Sequence, residues 1–126
     1  MFNLNNIEGI DILRKEIPDE LQYWHKFGNI LELHYNQIFD MGYCENVRCI
    51  ELLLTDIQYR YTIKLFLFNV RGELSFDIIN GFYSGLTIDD CSDWGYEKNC
   101  RFRISSFEQD IEFTIYCEKI KAELVR

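Results

Sequence analysis

The chain has 126 residues, with 21 acidic against 13 basic side chains for a formal net charge of −8. With 48% hydrophobic and 16% aromatic residues and a single proline, it has the apolar surface a disordered or low-complexity chain lacks, and its length fits one domain spanning 1–126. A pI near 4.7 argues against nucleic acid and anionic lipid as partners, because both need a basic face.

Residues 6–17 place Ile7, Ile10, Leu13 and Ile17 on one stripe at helical spacing. Pro18 ends that segment, and Pro18-Asp19-Glu20 suits the first turn of a second helix with Leu21, Trp24 and Phe27 as its stripe and Gly28 as its stop. Residues 30–43 fit either type: Leu31, Leu33 and Tyr35 alternate as a strand, while Leu31, Tyr35 and Ile38 fit a helix. Strands follow. Cys49–Thr55 precedes a turn at Asp56, and Tyr59–Val70 alternates with Tyr59, Tyr61, Ile63, Leu65 and Leu67 on one face. The opposite face of that strand is expected to become buried at Phe66, Phe68 and Val70. Arg71-Gly72 and Asn80-Gly81 read as hairpin turns flanking 73–79, and Phe82–Ile88 continues beyond them. After the acidic loop 89–99 come Arg101–Phe107 and Ile111–Cys117. The apolar phase then slips to Ile120, Ala122 and Leu124, which predicts a bulge or turn at Glu118-Lys119. The expected fold is α+β, mainly β: a curved antiparallel sheet or sandwich of six to seven strands, with the N-terminal helical segment on one face or edge.

Residues 1–17 hold no apolar run of signal-peptide length, and no stretch approaches a membrane span. Cys44, Cys49, Cys91, Cys100 and Cys117 are odd in number and lack zinc-ligand spacing. A cytoplasmic protein with free thiols is expected, with Cys49 and Cys117 on the apolar phase of their strands.

Candidates for chemistry are few. His25 and His34 stand beside no motif. Cys91 lies among Asp89, Asp90 and Asp93, which raise a thiol pKa and blunt a nucleophile. Glycines fall singly, so no phosphate loop is present, and the acidic loop does not match the calcium-loop register. No catalytic residue, metal site or cofactor is expected, and the chain reads as a non-enzyme. The segment Asp89, Asp90, Asp93, Trp94, Tyr96 and Glu97 sets two aromatic anchors in an acidic rim, the composition of a protein-contact site. It equally fits a solvated loop with Trp94 folded back on the core. Residues 27–58 hold five acids against Arg48, so half of the −8 lies in a quarter of the chain. Such a face steers a basic partner, although acidity also serves solubility alone.

Ile111–Ile120 after Arg101–Glu108, together with Ile63–Val70 and Ser84–Asp89, resembles the immunity proteins of bacterial polymorphic toxin systems, of the immunity protein 50 type, over residues 45–124. Where that family carries Phe-His-Asp this chain has Trp24-His25-Lys26-Phe27, so no site residue is carried over. The resemblance implies a non-enzymatic inhibitor that binds one toxin. The expected function is therefore a soluble protein-binding module with a basic, toxin-like protein as partner. The alternative is a small-molecule binder or enzyme whose aromatic residues line a pocket, with His25 or His34 at its mouth.

Overall fold

The computed structural model describes residues 2–71, 85–93, 95, 100–107 and 112–125. It is mainly β, with one short α-helix near the N-terminus and two antiparallel sheets. The hairpin turns expected at Arg71-Gly72 and Asn80-Gly81, and the strand between them, lie outside the described residues, apart from Arg71.

The predicted helix is real but shorter than its stripe. Helix α1 spans Ile10–Glu16, with Asp11 in its first turn and Arg14 and Lys15 in its last, the charge order that suits the helix dipole. Ile7, Ile10, Leu13 and Ile17 are all buried, including the two that lie outside the helix. Helix entry is set by Gly9 at φ 87°; a Cβ there would sit 2.2 Å from the carbonyl oxygen of Ala122. Past Pro18 the chain forms two single 3₁₀ turns, Asp19–Leu21 and Trp24–Phe27, in place of the second helix. The expected stripe survives the change of geometry: Leu21, Trp24 and Phe27 are buried. Gln22, itself buried, donates from Nε2 to the carbonyls of Arg14 at 2.8 Å and Ile17 at 2.7 Å, satisfying backbone at the end of α1. Arg14 in turn donates to the carbonyls of Phe2 and Leu4, tying down the N-terminal residues.

Residues 30–40 resolve as strand and 41–43 as part of a turn. β1 (Asn29–Asp40) and β2 (Glu45–Thr55) form a long hairpin closed by residues 41–44, with Asp40 accepting from the Tyr43 amide at 3.0 Å. β3 (Thr62–Phe68) follows. β4 (Thr87–Asp90), β5 (Phe102–Phe107), β6 (Glu112–Cys117) and β7 (Lys119–Val125) complete the described strands. The first sheet has the order β1-β2-β3-β7 and the second β4-β5-β6.

Glu118 is where the phase slips. β6 belongs to one sheet and β7 to the other, so one run of chain changes sheet at this residue. The continuation of β3 bends with it: Arg71 pairs with Tyr116 of β6, and Asn69 between them has φ 58°. Asn69 Nδ2 donates to Glu118 Oε1 at 3.2 Å, and the Tyr43 hydroxyl donates to the same carboxylate oxygen. A polar clasp therefore marks the corner where both strands cross between sheets.

One apolar cluster joins both sheets and the N-terminal segment, with Ile50, Leu52, Leu54, Ile63, Leu65, Leu67, Ile104, Ile115 and Ile120 among its buried members. Two phases differ from expectation. Cys49 lies opposite Phe68 on the outer face of the first sheet, because Ile50, Leu52 and Leu54 take the core side. Three consecutive leucines at 52–54 left that choice open in the sequence. Val70 is buried as expected, but Phe66 and Phe68 are only half-buried; Lys64 and Lys121 lie over the Phe66 ring at 5.8 and 5.9 Å, and Lys119 over Phe68 at 5.4 Å. The lysine stems cover what was expected to be a second buried face. Tyr59 falls in the turn before β3, at φ 56° and largely exposed.

Candidate functional site

An open cleft of about 310 Å³ lies between the Tyr23–His25 turn and β4, beside Asp89 of the predicted contact set. Asn3, Tyr23, Trp24 and His25 form one wall, and Leu86, Thr87, Ile88 and Asp89 the other. Trp24 is held by packing: its ring lies 4.4 Å from that of Phe2, which also approaches Phe27 at 6.3 Å. The indole N–H of Trp24 is buried with no acceptor among the described residues. Tyr23 and His25 project outward on either side of Trp24, with ring centroids 5.4 Å apart, and both are exposed. A 3₁₀ turn at this point makes that arrangement: Trp24 points into the core while its two neighbours face solvent.

β4 supplies the second wall by alternation. Leu86 and Ile88 are buried, which turns Thr87 and Asp89 outward. Asp89 and Asp90 are therefore strand residues, paired with Arg103 and Phe102, and the acidic loop begins after them. Asp89 Oδ2 accepts from Arg103 Nη2 at 3.1 Å, which fixes a carboxylate at the rim. The Thr87 hydroxyl lies 3.3 Å from that of Ser105.

Asp90 has a structural role. Its Oδ1 accepts from the Ser92 amide at 2.9 Å and the Ser92 hydroxyl at 2.5 Å, and its Oδ2 from Asn6 at 2.6 Å. The Ser92 bonds, with help from Asn6 and Arg101, hold its carboxyl below the usual range. Asp93 is exposed in the turn that follows. Trp94, Tyr96 and Glu97 lie outside the described residues. Of the expected contact set, the structure thus puts Asp89 in the cleft, uses Asp90 to shape the turn and leaves Asp93 in solvent.

Cys91 is buried, and burial pushes its thiol up; Arg103 opposes this, and Asp89 and Asp90 each add a smaller raising influence. The acidic neighbours act in the expected direction, but burial does more. His25 makes no hydrogen bond among the described residues, so the cleft shows no nucleophile paired with a base. His34 stands on β1 with Nε2 3.9 Å from Glu32, away from this cleft. Among the described residues no group of three or more His, Cys, Asp and Glu side chains is arranged to hold a metal ion, and no helix is long and apolar enough to cross a membrane.

Sequence reasoning placed Trp24 in the core, and of the expected contact residues that are described Asp89 is the one that lines the cleft. That reasoning missed Asn3, Tyr23 and Thr87, which reach the cleft only because the N-terminal residues pack beside β4. The signal that bore on Tyr23 was the Tyr-Trp-His triplet, which a 3₁₀ turn opens and an α-helix stripe hides. No protein-family model matches the chain, and no curated protein or solved structure matches it either.

Proposed function

We propose that the chain is a non-enzymatic protein-binding module that takes an anchoring side chain of a basic partner into the cleft between Tyr23–His25 and β4. The observation that carries this reading is the cleft itself. An apolar floor from Trp24, Leu86 and Ile88 lies beneath a rim of Asn3, His25, Thr87 and Asp89, which is the construction of an interface hot spot. Asp89 gives that rim a carboxylate, and a cationic tip on the incoming side chain meets it favourably. The cleft is open, and its size is at the low end for ligand pockets, which run from about 300 Å³ upward. Those two properties favour a partner's side chain over an engulfed small molecule.

An immunity protein that neutralises a toxin is the specific form of this reading. It is supported by the resemblance over residues 45–124 and by the net charge of −8. The test uses the product of the neighbouring gene as the candidate toxin, with calorimetry for affinity and growth rescue on co-expression for protection. Nanomolar binding and protection are expected. Thr87→Trp, which fills the cleft from an exposed position, should weaken binding at least tenfold, and Asp93→Lys should slow association. A chain that neither binds nor protects contradicts the toxin reading; binding indifferent to Thr87→Trp removes the cleft from it.

A further inference from the structure

β1 ends the strand order of the first sheet, and among the described residues it pairs with β2 alone. Among the described residues its outer hydrogen-bonding edge therefore carries no partner strand along its 12 residues. Natural sheets protect such edges with lysine, proline or a bulge. The outer stretch Leu33–Asp40 has neither lysine, arginine nor proline, and the bulge between Ile30 and Glu32 lies at the other end of the strand. Exposed there instead are Tyr35 (50%), Ile38 (46%) and Phe39 (59%), followed by Met41 in the turn (80%). The far edge of the same sheet is met by Glu8, which pairs with β7. Among the described residues, the β1 side is the one left both apolar and without a partner strand.

We propose that β1 pairs antiparallel with β1 of a second copy of this chain about a two-fold axis at Gln37, joining the two four-stranded sheets into one. The register follows from face and charge. A two-fold axis normal to the sheet keeps each side chain on its own face, so a residue can lie opposite only one of equal parity. With Gln37 opposite itself, Tyr35 meets Phe39 of the second copy and Leu33 meets Met41. On the other face His34 meets Asp40, and Ile38 meets Asn36. Each of these pairs occurs twice, and apolar or aromatic cross-strand neighbours stabilise antiparallel pairing. Moving the axis to Asn36 sets Glu32 against Asp40 in both halves, a like-charge pair. Moving it to Ile38 loses the Leu33–Met41 and His34–Asp40 contacts and sets Gln37 against Phe39. The opposing term is long-range repulsion between two chains of −8 each. It is screened as salt rises, so the dimer tightens between about 10 mM salt, where the screening length is about 30 Å, and about 150 mM, where it is about 8 Å. This pairing uses a surface other than the cleft and does not depend on the proposed function.

Sedimentation velocity across a micromolar concentration series is the test, with the unmodified chain, Gln37→Lys, Gln37→Glu and an equimolar mixture of the two variants. Gln37 is exposed, so both variants keep the fold, which circular dichroism and thermal melting verify. The unmodified chain should sediment at twice the 15.2 kDa of one copy, more tightly at higher salt. Each variant alone sets like charges opposite each other and should raise the dissociation constant about fivefold, the upper range for one cross-strand charge pair. The mixture should restore association as a Lys–Glu heterodimer. A monomer throughout the series, assemblies larger than two, or a mixture no tighter than its separate variants each overturns the proposal.

Discussion

Asp56 shows how one side chain sets a turn. The residue is 2% exposed, and its Oδ1 accepts from the amides of Arg60 at 2.8 Å and Tyr61 at 2.9 Å. Its Oδ2 receives Arg60 Nε at 3.3 Å. Burial works against the charged form, but these donors outweigh it and hold the carboxyl below its usual range. Asp56→Ala leaves two part-buried amides without their acceptor, and a loss of about 1–3 kcal/mol is expected in urea unfolding. Because the folded pKa is depressed, the contribution is present above the ordinary aspartate value of about 3.9 and is lost as pH falls through the lower folded value. The stability gap between the unmodified chain and Asp56→Asn should therefore narrow below about pH 4; a gap constant with pH would contradict the assignment. Thiol reactivity is set at the same scale. Cys44 is exposed, whereas burial raises the pKa of Cys91 and, more strongly, of Cys117. An alkylating reagent followed by mass spectrometry should modify Cys44 first and Cys117 last, and a fast-reacting Cys91 would overturn the argument that its surroundings quench it.

At the scale of elements, Gly9 decides how the helix meets the sheet. Its positive φ and the 2.2 Å approach to the Ala122 backbone leave no room for a side chain. The flanking Glu8 fixes the contact: its amide donates to the Ile120 carbonyl at 3.1 Å, and its carbonyl accepts from the Ala122 amide at 2.7 Å. Gly9→Ala should cost about 2–4 kcal/mol, from left-handed strain and overpacking together, and lower the melting temperature accordingly. A melting temperature unchanged by the substitution would show that this junction does not hold the helix down. The strands were legible because alternation marks burial on one face, as in Ile63, Leu65 and Leu67. The slip at Glu118 was legible for the same reason, since the apolar set changes parity there. That the slip is a change of sheet, clasped by Asn69 and Tyr43, was not, because it depends on a residue 49 positions away. The second helix failed at Pro18–Phe27 because 3₁₀ turns can bury the same Leu21, Trp24 and Phe27 that an α-helix stripe would.

For the whole molecule, charge is organised by the fold. The −4 carried by residues 27–58 falls mostly on the β1–β2 hairpin, while Asp89 places a single carboxylate at the cleft. The expected contact segment was legible only in part. Asp89 and Asp93 could be singled out as acids near aromatics, but the cleft that gives Asp89 its setting is built with residues 3 and 23–25, more than sixty positions away, which no local pattern reveals. The hairpin edge was also hidden, since residues 30–43 fit two element types until their pairing with β2 was known. Two surfaces result: a cleft with one carboxylate at its rim and an apolar strand edge. The cleft is the claim on which the function rests. Its most direct test is calorimetric titration of the neighbouring gene's product into the unmodified chain and into Thr87→Trp. The account predicts nanomolar binding weakened at least tenfold by the substitution. Equal affinity for both chains, or no binding to either, would contradict it.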